Sequence, residues 1–354
     1  MAAHIIMSPG IDPDDLRRMS EPGPFPRHSM AVLANRLGAT VHIPHRERDK
    51  PNAFDRLKSR LTGAPETWAL ARRLASQLSK DDVVFCQSES VGFPLVSLLG
   101  NGTRRPKVFV FVHNLGRLRG SVAAQLFRVA SRAEAFGVCC STQGEILQGK
   151  LGISKARIHL ILEHVDNRFF TPGPASPNKL RPVIAGVGLE KRDYRTLAQA
   201  SHDLDVDVRI SGFSRYAALL AKSLPEPLPA NMTQRFYTWP ELVQLYRDAD
   251  VVVAPVFPCA YAAGVTTLME GMCCRRPVVV TRSPGLSDYL NPSEGLSIVE
   301  PADSTGMRQA IVELLADPDK SGHQADSGFR LGAQRYDFDQ AVDRFAGLMR
   351  NLSS

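Results

Sequence analysis

DVVVAPVFPCAYAAGVTTLMEGMCCRRPVVVTRSPGLSD, residues 250–288, alternates between two kinds of segment. It opens with a β-branched run, 251–256, short enough for a strand buried on both faces. A loop over 257–264 ends in small residues and a glycine. Val265, Leu268, Met269 and Met272 then recur at helical spacing, which predicts a helix. Pro277 cannot continue a helix interior, and 278–281 reads as a second strand. Strand, glycine-ended loop, helix, strand is a ready anion site. The helix start leaves N–H groups unpaired and partly positive, and Gly264 lets a phosphate come close to the backbone. A carboxylate there repels phosphate but accepts two hydroxyl hydrogen bonds from a ribose. Glu270 fits that role, and spacing alone fits a solvent-facing helical glutamate equally well.

The same alternation runs through all 354 residues, enough for two domains with real cores. With 44% hydrophobic and 22% charged residues, disorder is not the expectation. Charge is uneven: residues 1–173 hold 24 Lys/Arg against 15 Asp/Glu, a balance of +9, and the remainder balances at −2. A basic first half attracts an anionic partner, such as a phosphorylated acceptor or a lipid surface. Nucleic acid is not expected, because charge alone supports it and no binding module accompanies it. Six cysteines without a C-x-x-C pair make neither a zinc framework nor a disulfide scaffold, which fits a reducing cytoplasm. The first residues lack a signal-peptide pattern, and no apolar run is long enough to span a membrane. The expected location is cytoplasmic, peripheral at most on the inner face of the membrane.

Toward the N-terminus, a strand at residues 4–7 leads into a proline-rich loop from 11 to 29 that carries Gly23 and His28. Its prolines predict no regular structure. Residues 46–64 are basic and amphipathic, with Phe54, Leu57 and Leu61 on one side. The expectation is a surface helix with that stripe on the core; a membrane interface or an anionic acceptor is the other reading. The strand 107–112 ends at His113 and Asn114, where open α/β sheets bind ligands. Residues 171–182 carry four prolines and no periodicity, as a linker does. The domains are therefore expected at 1–166 and 183–334, joined by 167–182. Lys191 and Arg192 follow the strand 183–187 and precede a helix from 194, a place where cations meet a diphosphate. Phe213 or Tyr237 could stack on a base. Asp203, Asp205 and Asp207 form a D-x-D spacing of the kind that recurs by chance along the chain, and no metal is assigned to it.

Gly264, Thr266, Thr267, Glu270 and Pro277-Val278-Val279 resemble the signature region of retaining GT-B glycosyltransferases of the family 4 type. That pattern carries an acid, a glycine-rich turn and a second Glu eight residues on; Glu270 matches the second, and Ala262 stands where the first belongs. Arg192-Asp193-Tyr194, followed by Thr196-Leu197, is similar to the family's diphosphate segment, with Leu189 in place of its usual Arg. His113 matches a histidine beside the donor sugar, and Glu163-His164 replaces the family's Asn-Gly.

The resemblance implies two Rossmann-like domains facing across a cleft, with the final helix, 335–354, packed back on the first. It implies transfer of a sugar from a UDP- or GDP-type nucleotide diphosphate sugar to a sugar, lipid-linked or small-molecule acceptor. Retention, no metal and no further cofactor are expected. His113, Arg192 and Glu270 would serve catalysis. Lys191, Arg192, Gly264, Val265, Thr266, Thr267 and Glu270, with Gly23, would hold the donor. The absent acid at Ala262 and the altered Glu163-His164 favour the alternative, a non-catalytic GT-B binding or scaffold protein.

Overall fold

The computed structural model describes residues 2–100, 105–116, 118–212, 222–290 and 295–353. Arg117, Phe213 and most of the segment 214–223 lie outside the described residues. The chain divides into two compact units. The first comprises Met1–Glu21, Arg27–Leu162 and Asp339–Ser354, and the second Pro22–Pro26 and Glu163–Phe338.

In the first unit the strands β1 (Ala3–Ile6), β2 (Thr40–His42), β3 (Val83–Cys86), β4 (Lys107–Val112), β5 (Ala135–Val138) and β6 (Ile158–Leu160) form one parallel sheet. Their order is β2-β1-β3-β4-β5-β6. The helices are α1 (Pro13–Arg18), α2 (Ser29–Leu37), α3 (Ala53–Lys58), α4 (Pro65–Gln77), α5 (Glu89–Leu98), α6 (Leu118–Leu126), α7 (Val129–Arg132) and α8 (Ser141–Leu151). Five residues of β4 and all of β3 and β5 are buried, as their continuous apolar runs require. Phe85 and Phe109 stack at 5.2 Å between centroids.

In the second unit β7 (Val183–Val187), β8 (Asp207–Ser211), β9 (Met232–Arg235), β10 (Val251–Ala254), β11 (Val278–Thr281) and β12 (Ser297–Val299) form another parallel sheet. Its order is β12-β11-β10-β7-β8-β9. Helices α9 (Tyr194–Ser201), α10 (Trp239–Asp248), α11 (Val265–Cys273), α12 (Ser304–Ala316) and α13 (Pro318–Arg335) accompany it. The last helix, α14 (Phe338–Ser353), takes the chain back into the first unit. There Phe345 sits edge-on to Phe85 at 5.4 Å, Asp339 accepts from Arg27 at 3.0 Å, and Asp343 pairs with Arg36.

Strand order reverses between β7 and β10, which are neighbours: β8 and β9 lie to one side, β11 and β12 to the other. A reversal of this kind opens a crevice beyond the strands' carboxyl ends. The loops after β7 and β10 are those carrying Lys191, Arg192 and Gly264. Helix α11 lies tight on the sheet: a side-chain carbon at Gly271 would sit 3.1 Å from Val252 Cγ1 and 3.2 Å from Val278 Cγ2.

Two expectations are corrected. The proline-rich loop contains α1, because Pro13 occupies the first turn, where a missing N–H costs nothing, and Asp12 caps the helix through Asp14 and Asp15 N–H. The stripe on α3 does not face the core: Phe54 is 71% exposed and Leu57 58%. What α3 buries is Asp55, which accepts from Arg72 of α4 at 2.8 Å and from the Asn52 N–H, closing a capping box.

Candidate functional site

Arg192 organises the crevice of the second unit. Only 3% exposed, it donates from Nε to the Val187 carbonyl at 2.8 Å and from Nη1 to the Glu190 carbonyl at 2.7 Å. Its Nη2 donates to Thr267 Oγ1 at 2.9 Å, and that hydroxyl in turn donates to the Val187 carbonyl at 3.0 Å. The guanidinium thus ties the end of β7 to the first turn of α11. Asp193 N–H bonds the Pro255 carbonyl and Phe257 N–H the Lys191 carbonyl, so the two loops are stitched along the backbone as well. Tyr261 adds a side-chain tie by donating to the Glu190 carboxylate.

Gly264 precedes α11 with φ +92, and a Cβ there would lie 2.8 Å from Val256 Cγ1. Only glycine fits both the left-handed backbone and the space. No side chain caps the helix that follows, though its first N–H, that of Val265, already donates to the Ala262 carbonyl at 3.4 Å. Val265 and Thr267 are buried, whereas Thr266 is exposed at the helix tip. Lys191 is half-buried, and its ammonium makes no hydrogen bond or ion pair to a described residue.

Glu270 lies one turn further along α11. The buried Tyr246 of α10 donates its hydroxyl to Glu270 Oε2 at 2.6 Å. Burial raises the carboxyl pKa to about 7, against the opposing pull of the Tyr246 hydrogen bond and the Arg192 charge. Ala262 leaves the neighbouring loop without a carboxylate at that position.

Arg192, Gly264 and Thr267 therefore lie together where the loops after β7 and β10 meet the start of α11, with Lys191, Val265, Thr266 and Glu270 beside them along the chain. Gly23 is exposed, and a side-chain carbon there would meet only the Phe25 ring, at 3.7 Å. His113 belongs to the first unit, at the end of β4. Its Nε2 lies 3.1 Å from the Gln87 carbonyl, which sets Nε2 as the protonated nitrogen. Glu89 accepts from the His113 N–H at 3.0 Å and the Asn114 N–H at 3.2 Å. His28 caps α2, its Nδ1 accepting from Met30 N–H. The Tyr237 ring lies under the Arg235 guanidinium at 3.7 Å. Asp203 pairs with Arg308, Asp205 with Arg181, and Asp207 with Arg181 and Arg209.

Sequence reasoning missed Tyr246, Tyr261 and Glu89. Each is an ordinary residue within its own element and gains meaning only from a partner more than 20 positions away.

Residues 180–317, which hold this crevice, match the family model described as glycosyl transferases group 1. No curated protein matches the chain by sequence. Among solved structures, sucrose-phosphate synthase from Thermosynechococcus elongatus is similar at 16% identity and TM-score 0.74, over 99% of each chain. HepE from Anabaena, solved in complex with UDP-glucose, is similar at 14% identity and TM-score 0.71, over 99% of this chain and 100% of that one. A UDP-forming trehalose-phosphate synthase from Burkholderia vietnamiensis gives 13% identity and TM-score 0.75, over 100% and 98%. At such identities the likeness establishes the fold, GT-B, with two Rossmann-like domains.

Proposed function

We propose that the protein is a glycosyltransferase that moves a sugar from a nucleotide diphosphate sugar to an acceptor, with retention and without a metal. The observation that carries this reading is the β7/β10 reversal: a helix tip with no side-chain cap, a cation and a carboxylate suited to a ribose, all within the stretch that matches the glycosyltransferase model. UDP and UDP-glucose in the HepE complexes favour a uridine donor over a guanosine one.

The work divides among the residues as follows. Negative charge grows on the diphosphate as the glycosidic bond breaks, and dipoles already aimed there stabilise it without reorganising. The tip of α11 supplies the dipoles, chiefly through the Thr266 amide because the Val265 amide already reaches the Ala262 carbonyl, with Gly264 allowing close approach. Lys191 supplies the mobile cation. Arg192 spends three donors on the protein, so it acts mainly by holding the two loops in register and by placing its positive charge beneath the helix tip. Glu270, oriented by Tyr246, accepts the ribose hydroxyls. His113 is assigned to the donor sugar on resemblance, with Glu89 fixing its backbone. None of these residues is a dedicated base; the departing phosphate oxygen takes the acceptor's proton.

A thermal-shift screen against uridine, guanosine and adenosine diphosphates and their sugars tests this. A ligand that binds only the folded chain raises Tm by mass action. One nucleotide series is expected to raise it, and its sugar is expected to be consumed when acceptors are supplied. Binding without turnover over a broad acceptor panel would instead favour the non-catalytic reading, to which Ala262 lends weight.

A further inference from the structure

Four of the ten exposed large hydrophobic residues among those described lie on two helices of the first unit. Phe54 and Leu57 project from α3; Val122 (51% exposed) and Leu126 (63%) project from α6. The ends of both helices approach one indole. Lys58, at the end of α3, holds its ammonium 5.1 Å from the Trp68 ring centroid. Phe127, just past α6, meets the same residue's ring edge-on at 5.1 Å between centroids. Leu57 and Leu126 are therefore each next in the chain to a residue that touches the buried Trp68.

The exposed charges around α3 are mostly positive. Between residues 46 and 60, Arg46, Arg48, Lys50, Arg56 and Arg60 are exposed and Lys58 is half-buried. Two of the three acids in the same stretch are withdrawn: Asp49 is buried against Arg73 at 2.9 Å and Asp55 against Arg72 at 2.8 Å, which leaves Glu47 outside. Arg119 and Arg128 flank the α6 pair and are exposed too. Soluble surfaces rarely cluster large apolar side chains without a use for them. A face of apolar residues ringed by Arg and Lys matches a bilayer surface carrying anionic headgroups: the rings and aliphatic chains enter the acyl boundary and the cations stay among the phosphates. A second copy of the chain suits it poorly, because a two-fold contact would set this basic rim against itself.

The geometry points to the α3/α6 face of the first unit as a docking surface for anionic membrane, holding the protein at the bilayer by reversible contact. The surface is independent of the nucleotide crevice and stands or falls separately from it.

Co-sedimentation with vesicles tests it. The full chain is expected to pellet with vesicles containing phosphatidylglycerol, weakly or not at all with phosphatidylcholine alone, and less as salt rises. Replacing Phe54, Leu57 and Leu126 by Ser removes exposed side chains, so circular dichroism and nucleotide thermal shifts should stay as in the wild type. Vesicle partition should fall by about tenfold or more. Arg56→Glu with Arg60→Glu should abolish the preference for phosphatidylglycerol. Failure of the wild type to bind these vesicles at low salt, or undiminished binding by the triple Ser variant, overturns the proposal. So does a wild-type dimer that the triple variant dissolves, which would assign the face to a second copy.

Discussion

Glu270 is a carboxyl that the folded chain keeps partly protonated at neutral pH. Its folded pKa of about 7 exceeds the ordinary 4.5, so the folded state binds the extra proton between those values. The stability this contributes is complete below about pH 4.5 and is lost as pH rises through about 7. The full shift corresponds to ~3 kcal/mol. Glu270→Gln keeps the size and an acceptor oxygen but cannot ionise. Between pH 5 and pH 8 the wild type is therefore expected to lose about 5 °C more in Tm than the Gln variant, and parallel melting profiles would refute the assigned shift. Lys191 and Arg192 separate just as sharply. Lys191→Ala removes an unpaired ammonium and should leave Tm within about 1 °C while weakening a nucleoside diphosphate about tenfold and uridine hardly at all. Arg192→Ala removes the side-chain donor to the Glu190 carbonyl and one of two side-chain donors to the Val187 carbonyl, and should lower stability by ~2–4 kcal/mol in denaturant titration. The sequence showed both cations after β7 but not which one is spent on the protein, because Arg192's decisive partner, Thr267, lies 75 positions away.

At the scale of elements, α11 was legible because its face of Val265, Leu268, Met269 and Met272 and its stop at Pro277 are local facts. Gly264→Ala tests the turn before it. A left-handed backbone and a Cβ 2.8 Å from Val256 Cγ1 should cost ~2–3 kcal/mol and shift the helix tip enough to abolish nucleotide binding. A variant with wild-type stability and affinity would contradict the close-approach argument. Two elements misled sequence reasoning for identifiable reasons. In α1, a proline counted as a breaker sits where a helix tolerates it, and the cap lies one residue earlier. In α3, periodicity located the apolar stripe but not its direction. Direction was set by the buried Asp55 carboxylate and its Arg72 partner, which turn Asp55 inward and leave Phe54 and Leu57 outside. Amphipathic spacing alone cannot distinguish these, since it records only that two faces differ.

Across the whole molecule, strands such as β4, β7, β10 and β11 were readable as apolar runs because parallel sheets bury both faces there, whereas β2, β6 and β9 are partly exposed and β9 shows no apolar run. The order of strands within each sheet was not readable, yet it is the reversal between β7 and β10 that makes the crevice. The charge division was legible too: the basic excess of the first half falls on the unit that carries the α3/α6 face, and the crevice belongs to the near-neutral second. Calorimetric titration of wild type and Glu270→Ala with UDP-glucose and its guanosine and adenosine counterparts examines the crevice most directly. The account predicts saturable binding of one of them to the wild type, weakened about 10- to 100-fold by the substitution. Equal affinity in the two proteins, or no binding of any nucleotide sugar to the wild type, would contradict it.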